Sequence, residues 1–86
     1  MSERSKRRSA SETALLVSLG GRLKDLRRER GLTQESLALS IDMDRSFIAE
    51  IETGVRNPST LSLARIAAGL GVPLSALFEG VPANSR

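Results

Sequence analysis

The sequence predicts an all-α fold, five short helices packed into one small domain. Three observations lead there. Apolar residues recur at helical spacing, as in Leu19, Leu23 and Leu26, which lie at i, i+4 and i+7. No segment alternates apolar and polar residues with period two, so no strand is expected. Glycines and cap-forming residues punctuate the chain at intervals of one short helix.

The first helix carries the Leu19, Leu23 and Leu26 stripe, and Gly31 suits the position just past its end. Ala14–Val17 extends it backwards, and the Gly20–Gly21 pair weakens that join by roughly 1 kcal/mol per glycine. Thr33 caps a second helix, with Glu35 favourable in its first turn and Leu37, Ala38 and Ile41 facing inward. Asp44 caps a third, whose inward face is Ile48 and Ile51 and which Gly54 closes. Asn57 and Pro58 turn the chain. Ser59 then caps a fourth helix, with Leu63, Ile66, Ala67 and Leu70 inward and Gly71 at its end. Pro73 suits the first turn of a short fifth helix carrying Leu74, Leu77 and Phe78. The folded domain is expected to span residues 13–79. Residues 1–12 are expected to form a disordered basic arm and residues 80–86 a flexible tail.

Composition excludes several function classes. Eighty-six residues support one core. There is no Cys and no His, which removes disulfides, zinc fingers, thiol chemistry and the usual imidazole base. No catalytic residue, metal or other cofactor is expected, and the chain does not read as an enzyme. Phe47 and Phe78 are the only aromatic residues, too few for a base-stacking platform. The apolar run Ala14–Val17 is far too short for a bilayer span or a signal-peptide core, so a cytoplasmic protein is expected.

The net charge of +3 is unevenly distributed. Residues 1–30 hold nine Lys/Arg against four Asp/Glu, a net of +5. Residues 31–86 hold four against six, a net of −2. A basic half points to a polyanionic partner, and nucleic acid is the common one.

The stretch Thr33–Pro58, TQESLALSIDMDRSFIAEIETGVRNP, sets two helical patterns around a tight joint. A helix-turn-helix, which places its second helix in the DNA major groove, is built this way. Asp42 occupies the joint where the chain needs a left-handed residue, a conformation Asp tolerates better than most. In that frame the exposed side chains at the start of the third helix are Arg45 and Ser46, followed one turn later by Ala49 and Glu50. Arg45 can fork onto guanine O6 and N7. Glu50 can accept from cytosine but would repel a phosphate, so it is read as an ordinary surface charge. Gln34 opens the second helix, where unpaired N–H groups favour a phosphate.

The pieces LGGRLKDLRRERGLTQ, ESLA, DRSFIAEIETGVRNPS and LARIAAGLGVPLSAL, in that order, resemble the phage-repressor-like, or XRE-type, helix-turn-helix family. The resemblance covers Leu19 to about Phe78 and implies a compact five-helix lambda-repressor-like DNA-binding domain. DRSFIAEIE…RNPS is especially similar to controller proteins of restriction–modification systems. The resemblance implies base contact by Arg45, Ser46 and Ala49. It implies backbone contact by Gln34, Phe47, Arg56 and Asn57, although Asn57 also reads as a plain pre-proline turn residue. It further implies a structural salt bridge between Arg27 and Glu52. Two departures stand out: Asp42 replaces the usual turn Gly, and Phe47 replaces a frequent Tyr, removing whatever contact that hydroxyl makes.

A helix-turn-helix of this size normally works as a two-fold dimer. The apolar surplus after the motif supplies a surface for one: Leu61, Ala68, Val72, Leu74, Leu77 and Phe78. Arg4, Lys6, Arg7 and Arg8 read equally well as a DNA-following arm or as a solubilising tail. The expected function is a sequence-specific regulator that binds double-stranded DNA as a homodimer on a near-palindromic operator and is suited to autoregulation. It would be of the controller type or a compact repressor, with no membrane or small-molecule partner. The alternative is an antitoxin that also binds a toxin protein.

Overall fold

The computed structural model describes residues 8–83. Four α-helices and a closing 3-10 turn account for its regular structure: α1 (Ala10–Glu29), α2 (Gln34–Ser40), α3 (Arg45–Thr53), α4 (Thr60–Leu70) and the 3-10 turn Leu74–Phe78. There is no strand among the described residues.

α1 starts earlier than its leucine stripe suggests. Ser9 and Glu12 form a reciprocal capping box: the Glu12 amide donates to Ser9 Oγ at 3.1 Å and the Ser9 amide to Glu12 Oε1 at 2.9 Å. Ala10–Glu12, expected in the arm, are therefore helical. The assignment of residues 1–7 to an arm, and of 84–86 to a tail, lies outside the described residues. The helix also runs unbroken through Gly20–Gly21. A Cβ at Gly20 would stand 2.7 Å from the Glu52 carbonyl oxygen and closer still to that of Ile51. The missing side chain lets α1 press against the α3 backbone, and that packing offsets the low helix propensity of glycine.

α2 is held by a second capping box, between Thr33 and Ser36. Ile41, expected on its inward face, is its C-cap and packs half-buried against the core. Asp44 occupies the N-cap of α3, but its carboxylate makes no cap hydrogen bond; its carbonyl accepts from the amides of Phe47 and Ile48 instead. Ser59 caps α4 by accepting from the Ser62 amide. The last element is a 3-10 turn rather than an α-helix. Five residues allow only a brief run of i→i+3 bonds, such as Ala76 N to Pro73 O at 2.9 Å.

α1 packs against α3 and the 3-10 turn, α2 against α3 and α4, and the 3-10 turn against α4. Leu23, Leu37, Ile48, Ile51, Ile66 and Leu77 are the largest fully buried side chains. Leu77 corrects an expectation. It is 0% exposed and belongs to the monomer core, not to a dimer surface. The 3-10 turn folds back against both α1 and α4 and encloses it. Val72 and Leu74 likewise pack partly buried against the core. Of the apolar surplus, Leu61 is 78% exposed, Phe78 43%, and Ala68 is also at the surface.

Candidate nucleic-acid interface

The joint between α2 and α3 takes its shape from Asp42, whose φ of 57° is the one positive value among non-glycine described residues. The Met43 amide closes the joint on the Ala38 carbonyl at 2.9 Å. Arg65 of α4 braces it by donating to the Ile41 carbonyl and, at 3.0 Å, to that of Asp42. Gly69, also on α4, leaves room for Ile41 and Leu37. The two helices of the motif are thus fixed from behind.

α3 buries Ile48, Ile51 and Glu52 on one side. On the other it presents Arg45 and Ser46, both exposed, with Ala49 and Glu50 half-buried one turn on. Those four positions, i, i+1, i+4 and i+5, form one stripe of a helix.

A continuous polar chain supports the first of them. Arg27 on α1 donates Nε to Glu52 Oε2 at 2.6 Å and NH2 to Glu52 Oε1 at 3.1 Å, a bidentate pair. Its NH1 donates to the Leu32 carbonyl at 2.6 Å. The two side chains are only 10% and 2% exposed, so the pair lies inside the protein. Glu52 Oε1 also accepts from Gln34 Nε2 at 3.0 Å, and Gln34 Oε1 accepts from Arg45 NH1 at 3.1 Å. The chemistry permits only this amide orientation, because the carboxylate can only accept and the guanidinium can only donate. Arg45 is therefore aimed by Gln34, which is aimed in turn by a buried ion pair.

A second cluster closes α3. Gly54, with φ 84°, ends the helix in the left-handed conformation and turns Val55 and Arg56 back along it. Arg56 donates Nε and NH2 to the same oxygen, Glu50 Oε1, at 3.0 and 2.6 Å. Its guanidinium carbon lies 5.1 Å from the centre of the Phe47 ring. Asn57 is exposed beside buried Pro58. Arg8, the first described residue, donates NH1 to the Val55 carbonyl at 3.5 Å, which puts the start of the described chain beside this loop.

The fold brings Gln34, Arg45, Ser46, Phe47, Ala49 and Arg56 onto the N-terminus of α2 and onto α3 with its exit loop, and Asn57 follows in that loop. The sequence reading missed two connections: Gln34 bridging Glu52 and Arg45, and Glu50 holding Arg56. The first spans 18 and 11 residues, beyond any local pattern. The second joins residues six apart, which are not neighbours on a helix and meet only because Gly54 reverses the chain. Among the described residues no His, Cys, Asp or Glu group is placed to hold a metal ion, and no helix is long and apolar enough to cross a membrane.

A helix-turn-helix family profile matches residues 23–77, well over half of the chain and the whole of the motif. The chain belongs to the helix-turn-helix family. This helix-turn-helix protein is 47% identical over 66 residues to the control protein C.MunI of Mycoplasma sp, covering 76% of this chain and 89% of that protein. Among solved structures it is similar to the restriction–modification controller protein C.AhdI from Aeromonas hydrophila. That match has TM-score 0.72 and 40% identity and covers 73% of this chain and 96% of the other. It is also similar to the controller protein C.Esp1396I, solved as a tetramer in complex with its natural 35 base-pair operator, with TM-score 0.71 and 39% identity over 78% of this chain and 88% of that one. The likeness to controller proteins seen in DRSFIAEIE…RNPS thus extends over most of the chain.

Proposed function

We propose that this protein is a sequence-specific transcriptional regulator that binds double-stranded DNA as a dimer, of the restriction–modification controller type. The observation that carries the reading is the aimed Arg45. An exposed guanidinium at the first turn of the second motif helix, held by Gln34 above a buried ion pair, is built to read a base edge from a fixed position. A bidentate Arg–guanine contact discriminates by about 1–3 kcal/mol, enough to matter when repeated in two half-sites. Ser46 and Ala49 extend the reading surface along α3. Gln34, Arg56 and Asn57 border it and supply the backbone side of the contact, with the Phe47 ring against the Arg56 guanidinium.

A two-fold dimer places two such helices on half-sites about 34 Å apart, or a multiple of that, and makes the operator near-palindromic. Leu61, Ala68 and Phe78 are the exposed apolar residues that support the dimer surface. Occupancy then depends on protein concentration through dimerisation, which suits a protein that regulates its own synthesis in the cytoplasm. Its activity is binding, not catalysis. The similarity to C.MunI, C.AhdI and C.Esp1396I supports the controller type.

Selection of bound duplexes from a random pool tests this directly. Wild-type protein should enrich a near-palindromic site, and Arg45→Ala should lose preference at one position in each half-site. Enrichment of no common sequence would overturn the reading.

A further inference from the structure

We propose that Glu50 is a specificity residue that acts by holding Arg56: its carboxylate competes with DNA phosphate for that guanidinium and so disfavours duplexes that offer phosphates alone. The inference rests on the DNA-binding reading and concerns the one acidic side chain on the exposed stripe of α3.

The geometry is that of an internal phosphate surrogate. Two N–H groups of Arg56 converge on Glu50 Oε1 at 3.0 and 2.6 Å, while the guanidinium lies over Phe47 at 5.1 Å. Arg56 is thus held in place and charge-neutralised before any DNA arrives. Glu50 and Arg56 side chains are 43% and 50% exposed, so the pair is open to solvent and weak enough for a phosphate to displace the carboxylate. Glu50 Oε2 accepts no hydrogen bond among the described residues.

Displacement has a consequence that depends on sequence. Once Arg56 moves to a phosphate, Glu50 is a carboxylate without its cation, on a helix facing a polyanion. A duplex that presents a cytosine N4 amino group there gives Glu50 a donor. One that presents acceptors leaves it unpaired. Phosphate contact by Arg56 and base contact by Glu50 are therefore coupled, and a duplex offering only the first is penalised.

The test measures binding of four proteins (wild type, Glu50→Gln, Arg56→Gln and the double variant) to a duplex selected by the wild type and to a scrambled duplex, over a salt series. Thermal melts check that all four fold. Glu50→Gln is expected to bind the scrambled duplex about fivefold more tightly and to steepen its salt slope by about 0.9, with a smaller gain on the selected duplex. In the Arg56→Gln background the change in salt slope should vanish and the affinity gain should shrink. No gain from Glu50→Gln, or the same gain with Arg56 absent, overturns the proposal, the latter because the carboxylate would then only repel DNA. A selection in which wild-type protein retains no duplex would instead overturn the DNA-binding reading itself.

Discussion

Gln34 shows what one side chain can decide at the residue scale. Its amide donates to Glu52 and accepts from Arg45, so it converts the rigidity of a buried ion pair into the aim of an exposed guanidinium. The Arg27–Glu52 pair does not depend on it, because Arg27 alone supplies two N–H groups to the carboxylate. Removing Gln34 should therefore separate specificity from stability. Gln34→Ala is expected to reduce discrimination at the base read by Arg45 about tenfold, within the range of a single bidentate contact. Its melting temperature should stay close to that of the wild type. Binding to a set of single-base operator variants, with a parallel melt, checks this; unchanged discrimination would show that Arg45 is aimed by something else. Glu52 behaves differently. Taking away its carboxylate strands Arg27 inside the protein, and a broken buried pair costs about 3–5 kcal/mol.

At the scale of elements, the contact between α1 and α3 controls the most. Gly20 lets the α1 backbone meet the carbonyls of Ile51 and Glu52, and Gly54 lets the end of α3 meet α1 at Val17, where a Cβ would stand 2.8 Å from the Val17 Cα. Neither neighbour is the tip of a flexible side chain, so neither can give way cheaply. Gly20→Ala raises local helix propensity, yet it should destabilise the protein, by about 1–3 kcal/mol of overpacking. It should also shift Glu52 and thereby weaken DNA binding. Chemical denaturation measures the first effect, and a stabilised variant would show that the helices have room to separate. α2 and α4 meet through Gly69 and through the bonds from Arg65 to the joint, so the motif is gripped by both flanking helices.

For the whole molecule, the apolar residues after the motif divide into two groups. Leu77 completes the monomer core; Leu61 and Phe78 remain outside it. Arg22 pins the 3-10 turn over Leu77 by donating Nε to the Ala76 carbonyl and NH2 to Glu79 Oε1, both at 2.8 Å. Substitutions in the two groups should fail in different ways. Leu77→Ala is expected to cost about 2–5 kcal/mol and to lower the melting temperature. Leu61→Asp should leave the fold intact and give monomers by sedimentation, with weakened operator binding. A dimer that survives Leu61→Asp would place the interface elsewhere on the surface.

The division between what was legible in the sequence and what was not follows the range of the forces involved. Helix positions, the caps Thr33 and Ser59, the closing glycines and the left-handed Asp42 depend on interactions within about one turn, and those are written in the order of residues. So is the exposed stripe Arg45–Ser46–Ala49–Glu50, which needs only helical periodicity. Resemblance to known proteins extended this to the pairing of Arg27 with Glu52. Other features depend on how separate elements approach. Tertiary structure alone decided that Leu77 is enclosed, that Gln34 bridges Glu52 to Arg45, and that Glu50 holds Arg56. Each of these is a contact across a turn or between helices. Its distance is set by packing of the whole core, and no local pattern in the chain encodes it.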